Sequence, residues 1–206
     1  LAYIGNKPAN KAIVASDLDP AVITGQTALA AAPASTDEFL ISDAGTLKRL
    51  DASFIGGANT PAFAAYLDGS AQSFSDNSNT KVQCNAEKFD TDSAYDNSSN
   101  YRFTVPSGKA GKYYIHGGAY IYGSSDGILR VTGAFLRLNN STDINQSRMN
   151  RSGSEVDDDI SHHVQAILDL SVGDYVELYA YADTSSGNPF LSNGVLNTFF
   201  EGFKLI

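Results

Sequence analysis

The chain has 206 residues, enough for one large β domain or for a medium domain with an extra segment. At 42% hydrophobic and 18% charged it is globular rather than disordered, and 18 glycines, 11 tyrosines and 11 phenylalanines favour strands joined by turns. A formal charge of −9 argues against nucleic acid and anionic lipid as partners, and no apolar run is long enough for membrane insertion.

Residues 1–59 are rich in Ala, Ser, Thr and Pro, with only Tyr3, Phe39 and Phe54 as aromatics. Their apolar clusters, at 12–14, 22–23, 39–41 and 54–55, are short and bounded by turn residues, so none sustains a helical face. The run STDEFLISDAGTLKRLDASFI predicts a small hairpin with strands at 39–42 and 47–50, turned at Asp43-Ala44-Gly45. Such a unit has too little apolar surface for its own core and needs something to bury against. Gly56-Gly57-Ala58-Asn59 reads as a hinge.

From Thr60 onward, candidate strands follow at 63–67, 81–89, 101–105, 112–122, 128–138, 160–170, 175–182 and 196–206, with a short edge strand at 145–151. Eight or nine strands without a convincing helix predict an all-β sandwich, most simply a jelly roll. Two strands carry aromatics on the face opposite an apolar core row. In 175–182, Val176, Leu178, Ala180 and Ala182 alternate with Tyr175, Glu177, Tyr179 and Tyr181. In 112–122, Tyr113, Ile115, Ala119 and Ile121 alternate with Tyr114, His116, Tyr120 and Tyr122. Aromatics on the face opposite the core predict that a subunit covers it. The single cysteine, Cys84, rules out an intrachain disulfide and reads as a small buried hydrophobe in the run KVQCNAEKF.

The ordered landmarks of residues 61–206 resemble the complement-type globular head, a branch of the tumour-necrosis-factor-like jelly rolls. Pro61-Ala62-Phe63-Ala64-Ala65-Tyr66-Leu67 resembles its opening strand, and Val82 to Phe89 followed by Tyr95-Asp96-Asn97 resembles its second strand and loop. Tyr101-Arg102-Phe103-Thr104-Val105-Pro106, Gly111-Lys112-Tyr113-Tyr114-Ile115, Gly173-Asp174-Tyr175-Val176 and Thr198-Phe199-Phe200-Glu201-Gly202-Phe203 resemble later landmarks in order. The departures are the long insertion at 139–159 and the absence of a collagen-like stem. The resemblance implies a homotrimer without catalysis. Its interface candidates are Tyr114, Tyr120, Tyr122, Tyr175, Tyr179, Tyr181 and Phe203. Residues 1–59, through Ser16-Asp17-Leu18, Ile23-Thr24-Gly25-Gln26-Thr27-Ala28-Leu29 and the hairpin run, resemble segments upstream of heads in tailed-bacteriophage fibre and appendage proteins.

Little in the chain points to chemistry. His162 and His163 are neighbours in a strand, so their rings point to opposite faces and do not share a metal. His162 belongs to the core row with Val164, Ala166 and Leu168, and His163 to the exposed row. Asp157, Asp158 and Asp159 form a candidate calcium site, although their spacing matches no calcium loop. There is no Gly-x-Ser-x-Gly elbow and no phosphate-binding glycine loop, so no enzyme activity and no cofactor are expected. The function expected is that of a trimeric virion appendage: 1–59 joins other virion proteins, and the head at 60–206 binds a host cell-surface glycan or protein. The alternatives are a capsid decoration protein and a secreted complement-type binding protein.

Overall fold

The computed structural model describes Gly25, Thr27, residues 33–34, 36–54, 59–151 and 158–206. The chain divides into two compact units, Leu1–Gly57 and Ala58–Ile206. In the first, β1 (Glu38–Asp43) and β2 (Thr46–Asp51) pair antiparallel. Ala44 and Gly45 both have positive φ, at 48° and 82°, the hand that lets a two-residue hairpin follow the strand twist. The amide of Ala52 closes the base of the hairpin on the Asp37 carbonyl at 2.7 Å. Leu40 on β1 and Phe54, in the 3-10 turn Ala52–Phe54 that follows β2, stay exposed, as expected of a hairpin too small to enclose a core.

The second unit is all strand and turn. Its elements are β3 (Ala62–Tyr66), β4 (Gln72–Ser73), β5 (Ser78–Lys81), β6 (Ala86–Asp90), β7 (Tyr95–Asp96), β8 (Arg102–Thr104) and β9 (Gly111–Gly123). There follow β10 (Leu129–Leu138), β11 (Thr142–Asn150), β12 (Asp159–Leu170), β13 (Tyr175–Thr184), β14 (Pro189–Leu191) and β15 (Phe199–Lys204). They form a sandwich of two antiparallel sheets. One runs β11-β10-β13-β8-β7, with β5 also on β13; the other runs β4-β14-β9-β15-β3-β6, with β12 along the free side of β9. This is the jelly-roll sandwich that the sequence predicts.

Between the sheets lie Phe63, Phe103, Tyr113, Ile115, Ile121, Leu136, Leu178 and Phe200. Phe63 stacks on Tyr95 and Phe103 with ring centroids at 5.2 and 4.9 Å, and meets Phe200 edge-on at 5.2 Å. These rings come from both sheets, so the aromatic stack joins them at one end of the sandwich.

Several elements differ from expectation, among them the short strands β4, β7 and β14, which lie between the expected ones. Residues 81–89 do not form one strand: β5 belongs to one sheet and β6 to the other, and Val82 and Cys84 enter the core as the chain crosses. The Gln72 amide serves the backbone there, donating to the Lys81 carbonyl at 2.8 Å and accepting from the Gln83 amide at 2.9 Å. A crossing strand has no ladder partner, so a side chain must supply one. The edge strand expected at 145–151 is present and begins earlier. Asn139 and Asn140 take positive φ and return the chain as β11, a nine-residue edge strand on β10. The closing strand begins at Phe199 rather than 196, because Gly194 turns the preceding residues, with the Asn197 and Thr198 amides on its carbonyl.

His162 lies on the core side of β12 and is almost fully enclosed. Its Nε2 meets Thr132 Oγ1 at 2.8 Å and its Nδ1 meets Ser147 Oγ at 3.0 Å, so it ties β12 to β10 and β11 across the sandwich. Burial pushes its pKa from about 6.5 down to about 4, with a smaller contribution from His163. The unfolded chain therefore takes up a proton below pH 6.5 that the folded chain refuses until about pH 4. Stability is level above that window and falls as pH drops through it, by ~3 kcal/mol for a shift of this size. Thermal melts across the window read this slope, and His162→Gln flattens it. Burial likewise pushes the Cys84 thiol up. A thiol reagent that leaves Cys84 untouched in the native protein should label it fully in denaturant.

Candidate assembly face and ligand clefts

The long strand β9 organises the seven-stranded sheet. It pairs with β12 over twelve residues on one side and with β15 and β14 on the other. Its odd-numbered side chains enter the core, so Tyr114, His116, Tyr120 and Tyr122 stand on the outer face. The register sets rows across that face. Ile167, Tyr114, Phe203 and Ala62 form one, and Gln165, His116, Glu201 and Ala64 the next. His163, Gly118, Phe199 and Tyr66 form a third; Asp159, Tyr122 and Phe190 lie at the far end.

Neighbouring rings touch along this face. Tyr114 meets Phe203 at 5.7 Å, and Tyr122 stacks on Phe190 at 5.4 Å. Phe199 meets His116 edge-on at 5.1 Å and His163 at 5.8 Å. Phe199 needs Gly118 beside it, since a Cβ on Gly118 would come within 2.4 Å of the ring. The face remains open to solvent in the single chain: Ile167 is 67% exposed, Phe203 41% and Phe89 51%. Phe89, Tyr114, Phe203, Ala62 and Ala64 also line an apolar hollow of about 440 Å³ at one end of the face.

The outer face of the six-stranded sheet is satisfied differently. There Tyr175, Glu177, Tyr179 and Tyr181 alternate with the core row of β13. The Arg102 guanidinium lies 4.0 Å over the Tyr175 ring, Arg137 4.5 Å over Tyr179, and Arg148 5.4 Å over Tyr181. Each such contact is worth about 0.5–1 kcal/mol at a partly exposed site. Phe135 stacks on Tyr179 at 5.4 Å, and Glu177 is buried beneath this layer with Lys81 Nζ at 2.5 Å. Asn79, Phe135, Asp143, Gln146, Arg148 and Tyr181 line a polar cleft of about 270 Å³ on this side.

The seven sequence-derived interface candidates thus divide between the sheets. Tyr114, Tyr120, Tyr122 and Phe203 share one outer face; Tyr175, Tyr179 and Tyr181 share the other. Both sets alternate with core residues, so sequence periodicity treats them alike, and only strand order separates them. The same register places Ile167, Phe190 and Phe199 on the outer face of the seven-stranded sheet, beside the tyrosines, through pairings distant in sequence.

Of the candidate calcium residues, Asp157 lies outside the described residues. Asp158 Oδ1 accepts the Gly127 amide at 2.6 Å, and Asp159 accepts the Tyr120 hydroxyl, which raises the Tyr120 pKa. These two carboxylates serve separate partners, and no group of three or more His, Cys, Asp or Glu suited to a metal occurs among the described residues.

The two-sheet arrangement is a jelly-roll sandwich, a fold found among solved structures as well. No family model and no curated protein matches the sequence. Among solved structures, murine APRIL at pH 5.0 matches 71% of this chain and 100% of its own, with a TM-score of 0.51 and 13% identity. The globular domain of zebrafish complement 1qA matches 71% of this chain and 98% of its own, at 16% identity and a TM-score of 0.48. Eiger TNF from S. frugiperda matches 71% and 94%, at 16% identity and a TM-score of 0.46. At these identities the likeness is one of fold.

Proposed function

We propose that this chain is a non-enzymatic virion appendage protein whose head, residues 60–206, assembles as a homotrimer through the outer face of the seven-stranded sheet and binds the host surface. The observation that carries the reading is the difference between the two outer faces. Tyrosines on the six-stranded sheet are covered by the chain's own arginines. On the other sheet, Ile167, Phe203 and Phe89 lie open beside Tyr114, a contiguous apolar field that a copy of the chain would cover. Burying one such side chain contributes about 1.5–3 kcal/mol. The exposed Leu40 of the hairpin and Phe54 just after it support an attachment role for residues 1–59 towards other virion proteins.

Assembly through one sheet leaves the polar cleft on the opposite sheet free in every copy. Its amides and its carboxylate Asp143 suit a glycan, with hydrogen bonds to sugar hydroxyls. Three weak sites on one trimer, and several trimers on one particle, replace single-site affinity by avidity.

Light scattering and host-cell binding on the full chain test both halves. Ile167→Asp should raise the concentration at which the trimer dissociates by roughly tenfold or more, and should weaken binding to cells with it. Gln146→Ala should weaken cell binding while leaving the mass unchanged. A monomeric wild-type chain, or cell binding indifferent to both substitutions, contradicts the proposal.

A further inference from the structure

His163 and His116 are distant in sequence but lie diagonally across the β12–β9 ladder, where His163 pairs with Gly118 and His116 with Gln165. Both rings project from the same outer face. His163 Nδ1 stands 3.4 Å from His116 Nε2, with ring centroids 5.6 Å apart. Two imidazole nitrogens bound at ~2.0–2.1 Å to one tetrahedral ion stand about 3.3–3.4 Å apart.

The remaining nitrogens each have a polar partner. His116 Nδ1 lies 3.1 Å from Glu201 Oε1, and an ionised carboxylate only accepts, so the ring hydrogen sits on Nδ1 and the Nε2 lone pair faces His163. His163 Nε2 lies 3.3 Å from Ser161 Oγ, which can accept a ring hydrogen there and leave the Nδ1 lone pair facing His116. A carboxylate behind a histidine is the arrangement that orients a metal-binding imidazole and raises its basicity. Phe199 lies against both rings and limits their freedom to turn away.

From this geometry we propose that His116 Nε2 and His163 Nδ1 form a two-imidazole site for a divalent transition-metal ion such as zinc or nickel, with Glu201 as the positioning carboxylate. The two imidazoles suit borderline ions rather than calcium, which takes oxygen ligands. Two ligands from one chain leave the rest of the coordination shell to water. In binding, His163 carries its hydrogen on Nε2 towards Ser161, and no proton need leave the pair.

Both ligands belong to one chain, so the site does not rest on the trimer. Its face is the proposed assembly face, so metal is added at protein concentrations below and above assembly. Titration calorimetry of the full chain with Zn²⁺ or Ni²⁺ alone should find one ion per chain. Affinity should fall at least tenfold in His163→Ala and in His116→Ala, and roughly 10–100-fold in Glu201→Gln. Calcium should not compete. His163 is exposed, so its variant should keep the wild-type melting temperature in the absence of metal. Imidazole nitrogen NMR should move the His116 and His163 resonances on zinc addition and leave His162 unchanged. Absence of binding, or equal affinity in either histidine variant, overturns the site.

Discussion

Strand β9 carries bulky side chains on both of its faces, and the rest of the head follows from how those faces are satisfied. On the inner side, Tyr113, Ile115 and Ile121 meet the opposite sheet and, with Phe63, Phe103 and Phe200, close the core. Gly117 is part of that closure, because a Cβ there would stand 2.6 Å from a Leu178 methyl. On the outer side, β12 and β15 set Ile167, Phe199 and Phe203 beside the tyrosines of β9. A strand that is apolar on both faces needs cover on both, and within the chain only the inner cover is complete.

The opposite sheet meets the same demand from its own resources. β13 also has aromatics on its outer face, but β8, β10 and β11 place Arg102, Arg137 and Arg148 against them. The insertion strand β11 supplies one of those arginines, and its residues Asp143 and Gln146 line the polar cleft beside it. It also helps hold the sandwich together through Ser147, which meets buried His162, and through Asn145, which donates to the Gln165 carbonyl at 2.7 Å. Strand β11 is therefore one wall of the cleft.

Much of the fold was legible in the sequence because period-two alternation is a local property. The alternation in 112–122 and 175–182 separates core from outer rows, and the Ala44-Gly45 hairpin and the Gly173-Asp174 turn lie where their residue types put them. Sequence periodicity also sets His162 inside and His163 outside. It could not tell which tyrosines share a sheet, because Tyr114 and Tyr181 look alike until strand order is known. Nor could it bring His163 to His116, since their contact arises from a pairing of strands remote in sequence. The crossing at Val82 and Cys84 was hidden for a related reason: both residues point inward, as they would in an unbroken strand.

The central claim is that one outer face is open to a copy of the chain while the other is covered by the chain itself. Hydroxyl-radical footprinting of the full chain across a range of protein concentrations tests it most directly. The account predicts that labelling of Tyr114, Tyr122, Ile167 and Phe203 falls as concentration rises, while Tyr175 and Met149 stay constant. Labelling that never changes with concentration, or protection confined to the β10–β13 face, would contradict it.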